Sequence, residues 1–160
     1  MLGNTYEDQN CSAARALEVV GERWSLLIVR DALFGGITRF ADFQRSLGLA
    51  RNILSSRLDR LVKAGLMERR QPERSPYHEY HLTEKGEDLK PVVIALSHWG
   101  DRWAAPNGAP ILYRHAGCGG DVQQQLVCGD CGQIRTNEQV GAHPGPGMTV
   151  ATGKHRTVHR

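Results

Sequence analysis

Residues 49–83 read LARNILSSRLDRLVKAGLMERRQPERSPYHEYHLT. Leu54, Leu58, Leu61 and Val62 recur at the i, i+4, i+7, i+8 spacing of a helix buried along one stripe, which predicts a helix over 50–63. Arg51, Asn52, Ser55, Ser56, Arg57 and Arg60 are left on its other sides. Ala64-Gly65 closes the helix. Leu66–Arg70 then alternates like a strand, and His78–Leu82 reads as the returning strand with Tyr80 and Leu82 inward. Between them Pro72 and Pro76 flank Arg74, and two fixed φ angles stiffen a loop that presents a guanidinium.

Working outward, Ser12–Val20 (SAARALEVV) has helical apolar spacing with Ser12 as a plausible cap, and Gly21 ends it. WSLLIVRDALF, residues 24–34, predicts a second helix that buries Trp24, Leu27, Ile28, Val29 and Leu33, broken by Gly35-Gly36. RFADFQRSL, residues 39–47, predicts a short third helix with Thr38 as its cap and Phe40, Phe43 and Leu47 inward. Gly48 supplies the turn into the helix at 50–63. Helix, turn, helix, strand, basic loop, strand is the layout of a winged helix-turn-helix, which lays a helix in the DNA major groove with a loop beside it. Arg and Asn have the two-pronged edges that match guanine and adenine, and Ser bonds to base or phosphate. The expected DNA-binding residues are therefore Arg51, Asn52, Ser55, Ser56 and Arg57 on the helix. Arg74 on the wing (about 71–77) is expected against backbone or minor groove, and Arg39 against a phosphate. In isolation such a helix face would be an ordinary solvated surface; the turn before it and the wing behind it favour the groove.

Thr83 is the expected cap of a long helix running to about Trp103. Its apolar positions Leu89, Val92, Val93, Leu96, Trp99 and Trp103 form a stripe wider than one wing domain needs. Such a stripe packs within the chain or joins two copies, and paired DNA-reading modules favour the second. Pro106, Gly108 and Pro110 mark a boundary. The expected organisation is a winged-helix domain over 1–105, a small unit over 111–140, and a flexible tail over 141–160, whose Gly, Pro, Thr and basic residues have nothing to bury. The fold class is mainly α with a small β-wing (α+β), a long C-terminal dimerisation helix and a zinc-ribbon-like extension.

In that extension His115-Ala-Gly-Cys118-Gly and Cys128-Gly-Asp-Cys131-Gly repeat one pattern, two ligand-type residues two apart with glycine after the second. This is the shape of a zinc knuckle, and His115, Cys118, Cys128 and Cys131 would make a closed Cys3His structural Zn2+ site. Val122–Val127 would run as a short hairpin strand between the knuckles. The gap between knuckles is short for a ribbon, so a metal-free hairpin with reduced thiols and a Cys128–Cys131 redox pair stay open as alternatives.

Net charge is only +3, but its distribution says more. From Arg23 to Arg74 there are eleven Lys/Arg against five acids, whereas Glu79 to Asp101 is acidic. One phosphate-facing surface would produce that asymmetry. The N-terminus MLGNTYEDQN has no secretory character, and the longest apolar run, Val92–Leu96, is too short to span a bilayer. A cytoplasmic protein is expected, in which four cysteines serve as ligands or reactive thiols before disulfides. Cys11, ahead of the first helix, is either a small apolar residue at a subunit interface or a thiol whose acidity the helix N-terminus raises.

The motifs Cys11…Ala16-Leu17…Gly21-x-Arg23-Trp24-Ser25-Leu26-Leu27-Ile28-x-Arg30-x-Ala32-Leu33, Arg39-Phe40-x-Asp42-Phe43, Leu54-Ser55-x-Arg57-Leu58, Gly65-Leu66 and Tyr80-x-Leu82-Thr83-x-x-Gly86 recur in order across residues 11 to about 103. In this the chain resembles the HxlR-type regulators, a branch of the MarR-like winged helix-turn-helix transcription factors. The resemblance implies bacterial or archaeal origin and a homodimer joined through the first and last helices. It also implies recognition through 50–63, a wing at 71–77, and a redox-sensing role for Cys11, which falls where some members carry such a cysteine. The cysteine unit and the tail are an extension for which the core family has no role.

Function is therefore expected to be sequence-specific binding of double-stranded DNA by a homodimeric regulator, most simply a repressor. It could be tuned through Cys11 by an oxidant or by a small molecule near Trp24, Trp99 and Trp103. The alternative is a protein-interaction adaptor that uses the winged-helix scaffold and the ribbon without specific DNA binding. No enzyme is expected: there is no catalytic Ser/His/Asp order in a suitable turn, no glycine-rich phosphate loop and no open metal site.

Overall fold

Glycine at left-handed φ ends three of the helices, as the sequence requires. The computed structural model describes Tyr6, residues 10–73 and residues 75–148. Helices α1 (Ser12–Val20), α2 (Ser25–Gly35), α3 (Phe40–Leu47) and α4 (Arg51–Lys63) come first. Gly36 (φ 60°), Gly48 (φ 64°) and Gly65 (φ 70°) follow the last three, at angles that a side chain would strain. Strands β1 (Met67–Arg70) and β2 (Glu79–Leu82) pair antiparallel, Met67 opposite Leu82 and Arg70 opposite Glu79. Beyond β2 the Tyr80 N–H donates to Thr38 O at 2.7 Å and Arg39 bridges Glu79. The segment before α3 is thereby stitched to the wing, a third edge that two residues without periodicity could not announce.

The core sits where these elements converge. Ile28 and Val29 of α2, Phe43 of α3, Leu54, Leu58 and Leu61 of α4, and Met67 of β1 are fully buried, with Tyr80 and Val93 beside them. Each such large apolar side chain contributes about 1.5–3 kcal/mol on burial. The three α4 leucines are those the spacing selects. Trp24, Leu33, Phe40 and Leu47 pack only partly against this cluster. Asp31 of α2, itself buried, accepts from Ser46 Oγ of α3 at 2.7 Å and pairs with Arg30 at 2.6 Å. A polar clamp thus holds the first helix of the helix-turn-helix against α2.

The expected continuous helix from Thr83 to Trp103 is broken. Thr83 caps a single turn, α5 (Glu84–Glu87), accepting from the Gly86 N–H at 3.2 Å while its own hydroxyl donates to Gly65 O at 2.7 Å. Helix α6 (Lys90–Trp103) then starts afresh, with Pro91 in its first turn. Proline has no N–H for the carbonyl of Glu87, and its ring would clash there in a continuous helix. Gly86 lies so near β1 that a Cβ would meet Leu66 O at 2.1 Å. Only glycine fits there.

The chain divides into two compact units, Ala16–Gln124 and Met1–Arg15 with Gln125–Arg160. In the first, a strap after α6 folds back on it. Tyr113 is buried, its OH 2.9 Å from Ser97 Oγ and its ring 4.9 Å from that of Phe34, and Gln124 Nε2 donates to Pro91 O at 3.2 Å. The strap turns through a tight hairpin, with Val122 N–H to Tyr113 O and His115 N–H to Gly120 O, both 2.8 Å. The return is complete by Val122, so the strand expected over Val122–Val127 does not form; those residues carry no regular structure. In the second unit, Asn10 Nδ2 donates to Gly147 O at 3.1 Å, and Thr136 and Gln139 form a capping box on one 3₁₀ turn (Asn137–Gln139). Residues 149–160 of the expected tail lie outside the described residues. No described helix is long and apolar enough to cross a membrane.

Candidate nucleic-acid interface

Because Leu54, Leu58 and Leu61 bind α4 to the core, Arg51, Asn52, Ser55 and Ser56 stand exposed on its far side, as the spacing predicts. The Arg51 guanidinium lies 5.3 Å from the centroid of the Phe40 ring. Arg39 is also exposed, its Nε 3.3 Å from Glu79 Oε1. Hydrogen bonding from His81, and then from Arg39, holds the Glu79 carboxyl below the usual carboxylate range. Arg74, the wing arginine, lies outside the described residues. The rest of the wing is braced by Gln71 donating to Ser75 O and by the Tyr77 N–H to Ser75 Oγ at 3.1 Å.

Arg57 is placed differently from its neighbours. Its Nη2 is 2.8 Å from Glu22 Oε2, in the turn after α1, and Arg60 Nη1 is 2.8 Å from the other oxygen of the same carboxylate. The Arg57 side chain is 19% exposed and its Nε is buried without a hydrogen-bond partner. The structure gathers Arg51, Asn52, Ser55 and Ser56 on one surface and turns Arg57 toward the α1–α2 corner.

The sequence reading missed the other wall of that surface. An open cleft of about 730 Å³ runs between α4 and the wing, lined by Phe40, Arg51, Asn52, Ser55, Asp59, Arg69, His78 and Tyr80. Arg69 of β1 lies over the Tyr80 ring, 5.4 Å from its centroid, and its Nη2 is 2.5 Å from Asp59 Oδ1. The one available signal was strand alternation in Met67-Glu68-Arg69-Arg70, which puts Met67 and Arg69 on the same face.

The cysteine residues form two matched turns, each within its own unit. Gly119 N–H donates to His115 O at 2.8 Å with Gly119 at φ 72°, and Gly132 N–H donates to Cys128 O at 2.9 Å with Gly132 at φ 70°. His115 Nδ1 is 3.2 Å from Cys118 Sγ. Backbone N–H groups of Cys131 and then Asp130 push the Cys128 thiol below its ordinary value. Among the described residues no group of three or more His, Cys, Asp or Glu is gathered to hold a metal. All four cysteines are free thiols. Cys11 is exposed, and the backbone N–H groups of Ala14 and then Ala13 lower its pKa. Trp99 and Trp103 stand out from α6, 62% and 65% exposed, while Trp24 packs at the core's edge.

Comparison with known proteins fits this geometry. The HxlR-like helix-turn-helix family pattern matches residues 19–108. An uncharacterised HTH-type transcriptional regulator of Mycobacterium tuberculosis is 48% identical over 152 residues, 92% of each chain. The crystal structure of PA1607, described as a candidate transcription factor, has a TM-score of 0.77 at 41% identity and covers 84% of this chain and 95% of its own. The redox regulator HypR, in its reduced form, has a TM-score of 0.53 at 28% identity, covering 57% of this chain and 92% of its own. The chain belongs to the HxlR-like helix-turn-helix family of transcriptional regulators.

Proposed function

We propose that this protein is a sequence-specific repressor that binds double-stranded DNA as a homodimer. In this reading α4 enters the major groove and the wing, about 71–77, meets the backbone or minor groove. The observation that carries it is the exposed set Arg51, Asn52, Ser55 and Ser56, held outward by a leucine stripe that is wholly buried. These residue types match base edges and phosphates, and the helix-turn-helix before them is the docking module. Pairing of two copies is supported by the exposed row Val92, Leu96, Trp99 and Trp103 on α6. The adaptor alternative gains nothing from the comparisons.

Two finer elements complete the proposal. Cys11 is the input for an oxidant: its thiolate is favoured by the first turn of α1, and HypR is described in reduced and oxidised forms. His115, Cys118, Cys128 and Cys131 are a structural Zn2+ set, a reading that rests on their spacing and on the twin glycine turns.

Fluorescence anisotropy with the protein's own upstream DNA and a scrambled duplex, at two salt concentrations, tests the central reading. Tighter binding to the native duplex at both, weakening steeply with salt, is expected. Equal affinity for native and scrambled DNA, repeated with a genomic pool, would favour the adaptor.

A further inference from the structure

We infer that Arg69 is a DNA-phosphate contact held in reserve by Asp59, so that the cleft between recognition helix and wing is a latched anion site. This rests on the DNA-binding reading above. The cleft has two guanidiniums lying over aromatic rings, Arg51 over Phe40 on one wall and Arg69 over Tyr80 on the other. Stacking fixes the plane of a guanidinium and leaves its N–H edge for an oxyanion. On the Arg51 side Asn52 and Ser55 add donors, and exposed His78 faces the same space.

Among the lining residues the one carboxylate is Asp59, and it occupies the N–H edge of Arg69. Both partners are about half exposed, and an ion pair in that setting is weakly held and easily exchanged. A phosphodiester oxygen offers Arg69 the same geometry as the Asp59 carboxylate, with the further gain of counterions released from the duplex. Tyr80 is buried and hydrogen-bonded to Thr38 through its backbone. The platform beneath Arg69 therefore stays fixed while its partner changes. Asp59 has a second consequence: left unpaired beside the backbone it repels phosphate, so the latch lowers affinity for any duplex and leaves base contacts to discriminate.

The test uses the full-length protein and the anisotropy assay. Arg69→Ala is expected to reduce the slope of log affinity against log salt by about 0.9, the value for one phosphate contact. Asp59→Asn is expected to tighten binding by up to about fivefold, the span of an exposed ion pair. In the double variant the gain from Asp59→Asn shrinks to the relief of carboxylate–phosphate repulsion alone, because there is no arginine left to release. Should Arg69→Ala fail to fold by circular dichroism, Arg69→Gln keeps a stem over Tyr80 and carries the same expectation. An unchanged salt slope for the charge-free variant overturns the inference, as does a gain from Asp59→Asn that persists undiminished without Arg69, which would mark simple charge removal. Wild-type protein with no affinity for any duplex removes the regulator reading and this inference with it. Normal wild-type binding with indifferent variants removes this inference alone.

Discussion

A carboxylate in the turn after α1 takes hold of two guanidiniums on the helix that presents Asn52 and Ser55. Glu22 reaches Arg57 and Arg60 because they are three residues apart and emerge on one side of α4. The sequence reading put Arg57 among the groove readers by residue type and neighbourhood. Helix geometry holds the finer signal: position 57 lies three after Leu54 and four before Leu61, on the flank of the buried stripe, whereas 52, 55, 56 and 59 point away. Arg57 is thereby tied to the α1–α2 corner through Glu22. Glu22→Ala strands a guanidinium that is 19% exposed, and a largely buried donor group left without its partner costs about 1 kcal/mol or more. Glu22→Ala and Arg57→Ala should each lower the urea midpoint, with a double variant hardly worse than either single one. Strictly additive losses would show that the two residues act apart.

Between Val92, Leu96, Trp99 and Trp103 the spacing runs four, three, four, the rhythm of a seam between helices. All four are exposed on α6 in the single chain, while the opposite side is covered by Tyr113 and the strap. A second copy laid along that row would bury it. Leu96→Glu puts a charge in the middle of the row; sedimentation should report a dimer for wild type and a monomer for the variant, and operator affinity should fall with it. A dimer that persists in this variant would place the interface elsewhere. The helices, the wing and their order were legible because hydropathy period and glycine stops are local signals. The break before Pro91 was hidden, since apolar positions continue across it at Leu89, Val92 and Val93 and only a missing N–H marks it. The stitch of Thr38 and Arg39 to β2, and the approach of Arg69 to Asp59, join distant segments in ways that periodicity does not encode.

Across the whole molecule the four thiols should fall into two classes of reactivity that a single measurement separates. With backbone N–H groups favouring its thiolate, Cys11 should be alkylated at a lower pH than an ordinary cysteine, and mild peroxide should modify it and weaken DNA binding. Cys118, Cys128 and Cys131 should resist the reagent in freshly purified protein and become reactive after a chelator, with zinc released in proportion. Mass spectrometry that finds the knuckle thiols reactive from the outset would remove the metal; a Cys11 no more reactive than a free thiol would remove the sensor. In a pair joined along α6, the angle at which this helix leaves the wing sets how far apart the two reading helices stand. Duplex DNA repeats about every 34 Å, so in such a pair the number of base pairs between two half-sites would be set by the helix break that precedes Pro91.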